Sequence, residues 1–329
     1  MNTLFHRRDM LRWAAAGAAV AATGTTQAQG NWPTRPVTMI VPFPAGGGTD
    51  AFARPLSAQF SKATGQTLVI DNRGGAGGTL GASIAAKAAA DGYTLFMGAV
   101  HHAIAPSIYP KLDYDIEKDF VPLMLLANAP QVVVVNPKRV SQTTLQEFVA
   151  YAKKNPAKMN YGSAGAGTSH HLAGELFKQQ TGTFITHIPY RGAGPMLQDL
   201  IAGNVDVCFD GLGSSAQHIK GGRIKALMVS GAKRNPAFPD VPCAAEVGLP
   251  GYTVTTWYGL WAPKGTPAEV QARIVDDMKK SMATDDLKTI WAANGSEIPN
   301  LTMGAYGSFV SAEIKRWATV VKTSGAKLE

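Results

Sequence analysis

Two glycine-rich runs carry the strongest chemical signal in this 329-residue chain. The first, Ala45-Gly46-Gly47-Gly48-Thr49-Asp50, follows a β-branched run at 37–41 and opens a helical pattern reaching about residue 64. The second runs from Gly162 through Ser163, Gly165, Gly167 and Thr168 to Ser169, between a short strand pattern at 159–161 and another helix. A helix start leaves backbone N–H groups without intrahelical acceptors, and the helix dipole adds partial positive charge there. Glycine lets those groups face open space, which suits each run to hold an anion. Taken singly, each run reads equally well as a tight strand-to-helix turn, capped in the first case by Thr49 or Asp50. Two of them at matching places favour anion capture.

Other chemistries fit less well. No Gly-x-x-x-x-Gly-Lys-Ser/Thr phosphate loop is present, and His170 stands where the Gly165-Ala166-Gly167 run would need its third dinucleotide-binding glycine. Ser169-His170-His171 places a hydroxyl beside two imidazoles, yet the chain has no Gly-x-Ser-x-Gly elbow. His101-His102 and His170-His171 suggest a four-histidine metal site. Adjacent side chains diverge, however, and no carboxylate sits at ligand spacing, so each pair is expected to give one residue to a cleft and one elsewhere. Arg191, in Tyr190-Arg191-Gly192-Ala193-Gly194-Pro195, suits bidentate pairing with a carboxylate and equally suits a solvated loop. Asp210, at the end of the strand pattern 205–209, suits either selection of a ligand amine or hydroxyl, or capping of the helix near Ser214.

The elements that must position these residues alternate strand and helix. Strands are expected at 37–41, 68–71, 94–98, 132–135, 159–161, 185–188, 205–209, 224–229 and 252–261. Helices are expected after each glycine-rich turn and near 268–283, 285–294 and 303–323. This alternation predicts an α/β fold with a mostly parallel sheet. The late helices have no sheet of their own and must return to the first half, so the chain crosses between halves near 128–131 and 250–256. Lobe I is then 29–128 with 252–329, and lobe II is 129–251. Two connections around a cleft suit a clamshell that closes on its ligand.

Composition bounds the function further. Hydrophobic residues make up 45% and charged residues 16%, which indicates a globular chain. Residues 1–28 read as an export segment: Arg7-Arg8 is followed by an alanine-rich apolar run and then by Thr26-Gln27-Ala28. The arginine pair suggests the twin-arginine route, with Sec export as the alternative and cleavage after Ala28. Removing this segment takes the formal charge from +8 to +6, that is, 28 Lys+Arg against 22 Asp+Glu. The excess favours anionic small solutes, while the scattered basic residues form no stripe for nucleic acid. Cys208 and Cys243 show no metal spacing, and Cys208 is expected to point into a core.

Several motifs together give a family resemblance. Trp32-Pro33-Thr34-Arg35-Pro36, the run from Val41 to Asp50, and Asp71-Asn72-Arg73-Gly74-Gly75-Ala76-Gly77-Gly78 are similar to those of the tripartite tricarboxylate transporter receptors, the TctC or Bug family. So are the segments 103–109, 119–122, 161–163 and 189–195, and the match runs in order along the whole mature chain. The resemblance implies a type II periplasmic-binding-protein fold, two αβ lobes around a cleft with two crossover connections. It also implies a periplasmic receptor without catalytic activity or cofactor, working with membrane permease subunits. Its ligand would be a small organic carboxylate: a di- or tricarboxylate, an amino acid or an aromatic acid. Carried over by motif, the first turn would contribute Ala45, Gly46, Gly47 and Thr49, and the second Ser163, Gly165, Gly167, Thr168 and Ser169. Phe43, His101, Arg191 and Asp210 complete the expected ligand contacts, with no metal. His101-His102 departs from the small residues expected after the third strand, and Arg191 from a common lysine. The rival readings are an enzyme acting on a small carboxylate, with Ser169 or a histidine as catalytic group, and a ligand-sensing subunit.

Overall fold

A computed structural model of the chain describes residues 32–324, so the export segment lies outside the described residues. The described residues from 35 to 324 form one compact unit. Its strands fall into two halves joined through one long strand.

In the first half, β1 (Val37–Val41) runs parallel between β2 (Leu68–Asn72) and β3 (Thr94–Ala99). β9 (Thr255–Pro263) is antiparallel to β3, and β4 (Phe120–Val135) is antiparallel to β9 from Phe120 opposite Pro263 to Pro130 opposite Thr255. From Gln131 onward β4 changes partners and pairs antiparallel with β7 (Val207–Gly211) and β8 (Lys225–Val229). β7 is parallel to β5 (Asn160–Ser163), which is parallel to β6 (Thr186–Pro189). The sheet is therefore mixed and not mostly parallel, because β4, which crosses between the halves, and β9 beside it both run against their neighbours.

The helices start and stop where local chemistry dictates. α1 (Gly48–Thr64) is preceded by Gly47 and ends at Gly65 in the left-handed region, φ 73°. The expected Thr49 or Asp50 cap is displaced by two or three residues, since the helix begins within the glycine run. Short helices α2 (Thr79–Ala86) and α3 (His101–Ile108) flank β3. α4 (Leu145–Lys154) carries a reciprocal Thr144–Glu147 cap. α5 (Ser169–Thr181) is capped by Thr168, and α6 (Ala193–Ala202) follows Gly192. α7 (Leu212–Lys220) follows β7 directly.

The late helices α8 (Ala268–Met282), α9 (Asp285–Ala293) and α10 (Met303–Ser324) pack back on the first half, as expected. α10 is pinned there by the buried Glu313, whose Oε2 accepts from Trp257 Nε1 at 2.8 Å and Trp317 Nε1 at 3.1 Å. Phe96, Phe120, Trp257, Trp261 and Tyr306 fill the first core; Phe148, Tyr161, Phe177 and Phe209 continue it into the second half. Cys208 is buried as expected, and neither it nor Cys243 forms a disulfide. Among the described residues no helix is long and apolar enough to cross a membrane.

Candidate functional site

The first glycine-rich turn is fixed from inside by Asp50. Asp50 Oδ2 accepts from the Gly46 N–H at 3.0 Å and from Arg54 Nε at 2.8 Å, while Asn72 Nδ2 bridges Asp50 Oδ1 (3.1 Å) and the Phe43 carbonyl (2.9 Å). Gly46, at φ +82°, thus has its N–H occupied within the protein. The N–H groups of Gly48 and Thr49 find no acceptor among the described residues and emerge at the positive end of α1. Gly48 tolerates no side chain, because a Cβ there would overlap the Tyr258 phenol oxygen.

The second turn is built by side chains. Thr168 Oγ1 donates to the Gly165 carbonyl at 2.7 Å and accepts the His171 N–H at 3.4 Å. Gly165 N–H donates to Ser163 Oγ at 3.1 Å, and that oxygen lies 2.7 Å from His187 Nε2. Gly167 N–H donates to His171 Nδ1 at 3.2 Å, and the His171 ring stacks on His187 with centroids 4.2 Å apart. Burial, and then the neighbouring His171, push His187 down to about 3. Across from the turn, His101 Nδ1 accepts the Ser169 N–H at 3.1 Å, so a side chain of α3 joins the two halves at the start of α5. Ser169 Oγ accepts from Gln131 Nε2 at 3.1 Å. In this turn the N–H groups of Ala164, Ala166 and His170 find no acceptor among the described residues, and of these His170 N–H belongs to the first turn of α5.

A third helix start converges here. Gly194, at the head of α6, packs against the first turn so closely that a Cβ would stand 2.6 Å from the Ala45 carbonyl oxygen. The cavity enclosed by these parts is lined by Phe43, Gly47, Gly48, Thr49, His101, Ala164, His170, Ala193 and Tyr258. It measures about 10 Å³, room for a single water. None of its lining residues is lysine or arginine. Two larger grooves, of about 370 and 510 Å³, lie beside α4 and beside α8 and α9. Neither is reached by a glycine-rich turn, so chemistry and not volume singles out the smaller cavity.

Of the expected contacts, Phe43, Gly47, Thr49 and His101 line this cavity. Ser163, Gly165, Gly167, Thr168 and Ser169 are buried in the turn beside it, and Ala45 and Gly46 are exposed. Arg191 is exposed and is not among the lining residues. Asp210 is fully buried: its Oδ2 accepts from Ser214 Oγ (2.7 Å) and Ser215 Oγ (2.6 Å), and its Oδ1 lies 3.6 Å from His170 Nε2. The histidine pairs divide their roles. His101 and His170 face the cavity, whereas His102 is held in the core by Ala99 and Gly78, with its pKa pushed to about 4 chiefly by burial. Gly48, Ala164, Ala193 and Tyr258 were not among the expected contacts, and His170 was expected only as one or other member of its pair. Ala193 was within reach of the sequence reading, as the first helical residue after Arg191.

The profile of the tripartite tricarboxylate transporter family receptor matches residues 52–326. The chain belongs to this receptor family. It is 35% identical over 318 residues to protein BugT of Bordetella pertussis, covering 96% of each chain. Among solved structures, R. palustris Rpa4515 with adipate superposes at a TM-score of 0.85 with 38% identity, over 91% of this chain and all of the other. MatC of Rhodopseudomonas palustris with bound malate superposes at 0.83 with 35% identity, over 88% of this receptor and all of MatC. The receptor therefore has the periplasmic-binding fold.

Proposed function

We propose that the receptor is exported, through the twin-arginine route, and captures a small organic carboxylate in the periplasm for membrane permease subunits of a tripartite tricarboxylate transporter. Lobe I (29–128 and 252–329) and lobe II (129–251) part to admit the ligand and shut around it. A cavity with room for one water requires that motion. The observation that carries the reading is the convergence of three helix starts on one small cavity, with the Gly48, Thr49 and His170 N–H groups unpaired. Relatives of the same fold with bound adipate and malate support it.

The receptor returns its ligand unchanged. Ser169 Oγ is bonded to Gln131, and His101 takes the Ser169 N–H, not its hydroxyl. Ser163 does lie beside His187, but that oxygen already holds Gly165, and an imidazole titrating near 3 is a weak base at neutral pH. Calorimetric titration with small carboxylic acids and their methyl esters tests the reading. The acids are expected to bind at least about tenfold tighter than the esters, since the helix ends favour the anion. Equal affinity for acid and ester, or turnover of a bound acid, refutes it.

A further inference from the structure

The cavity wall contains two histidines whose proton positions are fixed by their partners. His101 Nδ1 accepts the Ser169 N–H, so its remaining proton is on Nε2 and His101 is a donor. His170, 4% exposed, has Nε2 facing the Asp210 Oδ1 at 3.6 Å, and that carboxylate favours the tautomer with the proton on Nε2. His170 Nδ1 is then a lone-pair acceptor, and it is buried with no partner among the described residues. Asp210 Oδ1 is likewise without a hydrogen-bond partner. The two rings meet edge to face with centroids 5.5 Å apart. Burial lowers the pKa of both, so both stay neutral at pH 7.

A buried acceptor without a partner is costly, and a ligand that supplies one regains that cost on binding. We infer that the receptor selects a hydroxy acid, whose hydroxyl donates to His170 Nδ1 and accepts from His101 Nε2–H while its carboxylate sits at the helix starts. This inference rests on the carboxylate reading above and adds the second ligand group to it. A hydroxyl serves both rings through a single atom. A second carboxylate accepts from His101 but brings no proton to His170, and it would stand near the buried Asp210 with no lysine or arginine in the wall. An ammonium group donates to His170 but leaves the His101 N–H facing another donor.

The test is calorimetric titration of the mature receptor at pH 7.5 with matched sets. Lactate, 3-hydroxybutyrate and malate are each compared with the deoxy acid, the amino acid and the O-methyl ether of the same skeleton. For at least one skeleton the hydroxy acid is expected to bind about tenfold or more tighter than the deoxy acid and the ether. The ether still accepts but cannot donate, so it isolates the His170 contact. His170→Phe keeps the ring and removes the acceptor, and it is expected to bring the hydroxy-to-deoxy ratio close to one. His170→Asn, which returns a carbonyl acceptor near the Nδ1 position, should restore part of the preference. If His170→Phe does not fold, the wild-type ratios decide alone. Equal binding of hydroxy and deoxy acids overturns the inference and leaves carboxylate capture standing, as does tighter binding of the amino acids. Binding of none of these acids overturns carboxylate capture as well.

Discussion

Replacing Gly167 by alanine separates lobe closure from folding. Gly167 sits at φ +76°, a conformation that costs an L-residue roughly 1 kcal/mol whether the receptor is open or shut. A Cβ there would also stand 2.8 Å from Ile108 Cγ2 and 3.3 Å from Tyr109 Cε2, at the end of α3 in the first half. Contacts between carbons are optimal near 3.5–4.0 Å, and Cγ2 belongs to a stiff β-branched side chain that cannot swing away. Overpacking of this kind costs about 1–3 kcal/mol, and here only when the halves meet. Ligand affinity, which depends on the shut form, is therefore expected to fall about 5- to 150-fold. Stability of the ligand-free receptor in urea should fall by only about 1 kcal/mol. Gly47→Ala is the control. Its φ of −85° is ordinary, and its nearest neighbours would be Pro44 O at 3.6 Å and Gly194 N at 3.7 Å, so the methyl fits the shut form. Loss of affinity in Gly47→Ala must come from the methyl obstructing the ligand. A folded Gly167→Ala receptor that binds with wild-type affinity would falsify the argument that binding requires these surfaces to meet.

Two further outcomes follow from burial and from the N-terminal residues. His187 and His102 titrate near 3 and 4 in the folded receptor, against about 6.5 when unfolded. Between those values the unfolded chain binds protons that the folded one does not, so stability is complete above about pH 6.5 and declines as pH falls toward 4. Calorimetric melting from pH 7.5 to 4.5 at fixed ionic strength should show a falling Tm, and a flat profile would contradict the neutral, buried state of these rings. Replacing both Arg7 and Arg8 by lysine should leave the receptor in the cytoplasm, as fractionation would show. Unchanged export would transfer it to the Sec route.

Most of the fold was legible because strand and helix patterns alternate cleanly, and the first turn was legible because three glycines follow a β-branched run. The first part of β4 was not, since Pro122 and Pro130 argue against a strand. Those prolines are tolerated because β4 there pairs continuously only with β9, meeting Glu297 and Thr302 through single bridges, so its other edge needs few donors. Within the site, sequence located the turns but not the fate of their N–H groups. That Asp50 occupies Gly46, and that His171 occupies Gly167, depends on side-chain geometry four residues away in each case. Tyr258 could not be found from spacing, because it arrives through the antiparallel pairing of β9 with β3 and β4. Arg191 drew attention by its charge, yet the useful part of its motif is the helix start behind it.

The division between backbone and side chain explains how one family can take different acids. Any residue but proline offers a backbone N–H at a helix start, and the residue type is further restricted only where a Cβ is excluded, as at Gly48 and Gly194. On the proposed reading a chain can therefore change most of its residues, as relatives at 35–38% identity have, and keep the same backbone donors. Selection then falls to the few polar side chains in the wall, here Thr49, His101, His170 and Tyr258. His101 would tie the two tasks together, because its Nδ1 joins the halves through Ser169 and the inference above gives its Nε2–H to the ligand. A ligand that cannot accept that proton leaves a buried donor unpaired in the shut form, and the penalty opposes closure. On this reasoning a poor ligand is rejected as the lobes shut, after its carboxylate has already been held.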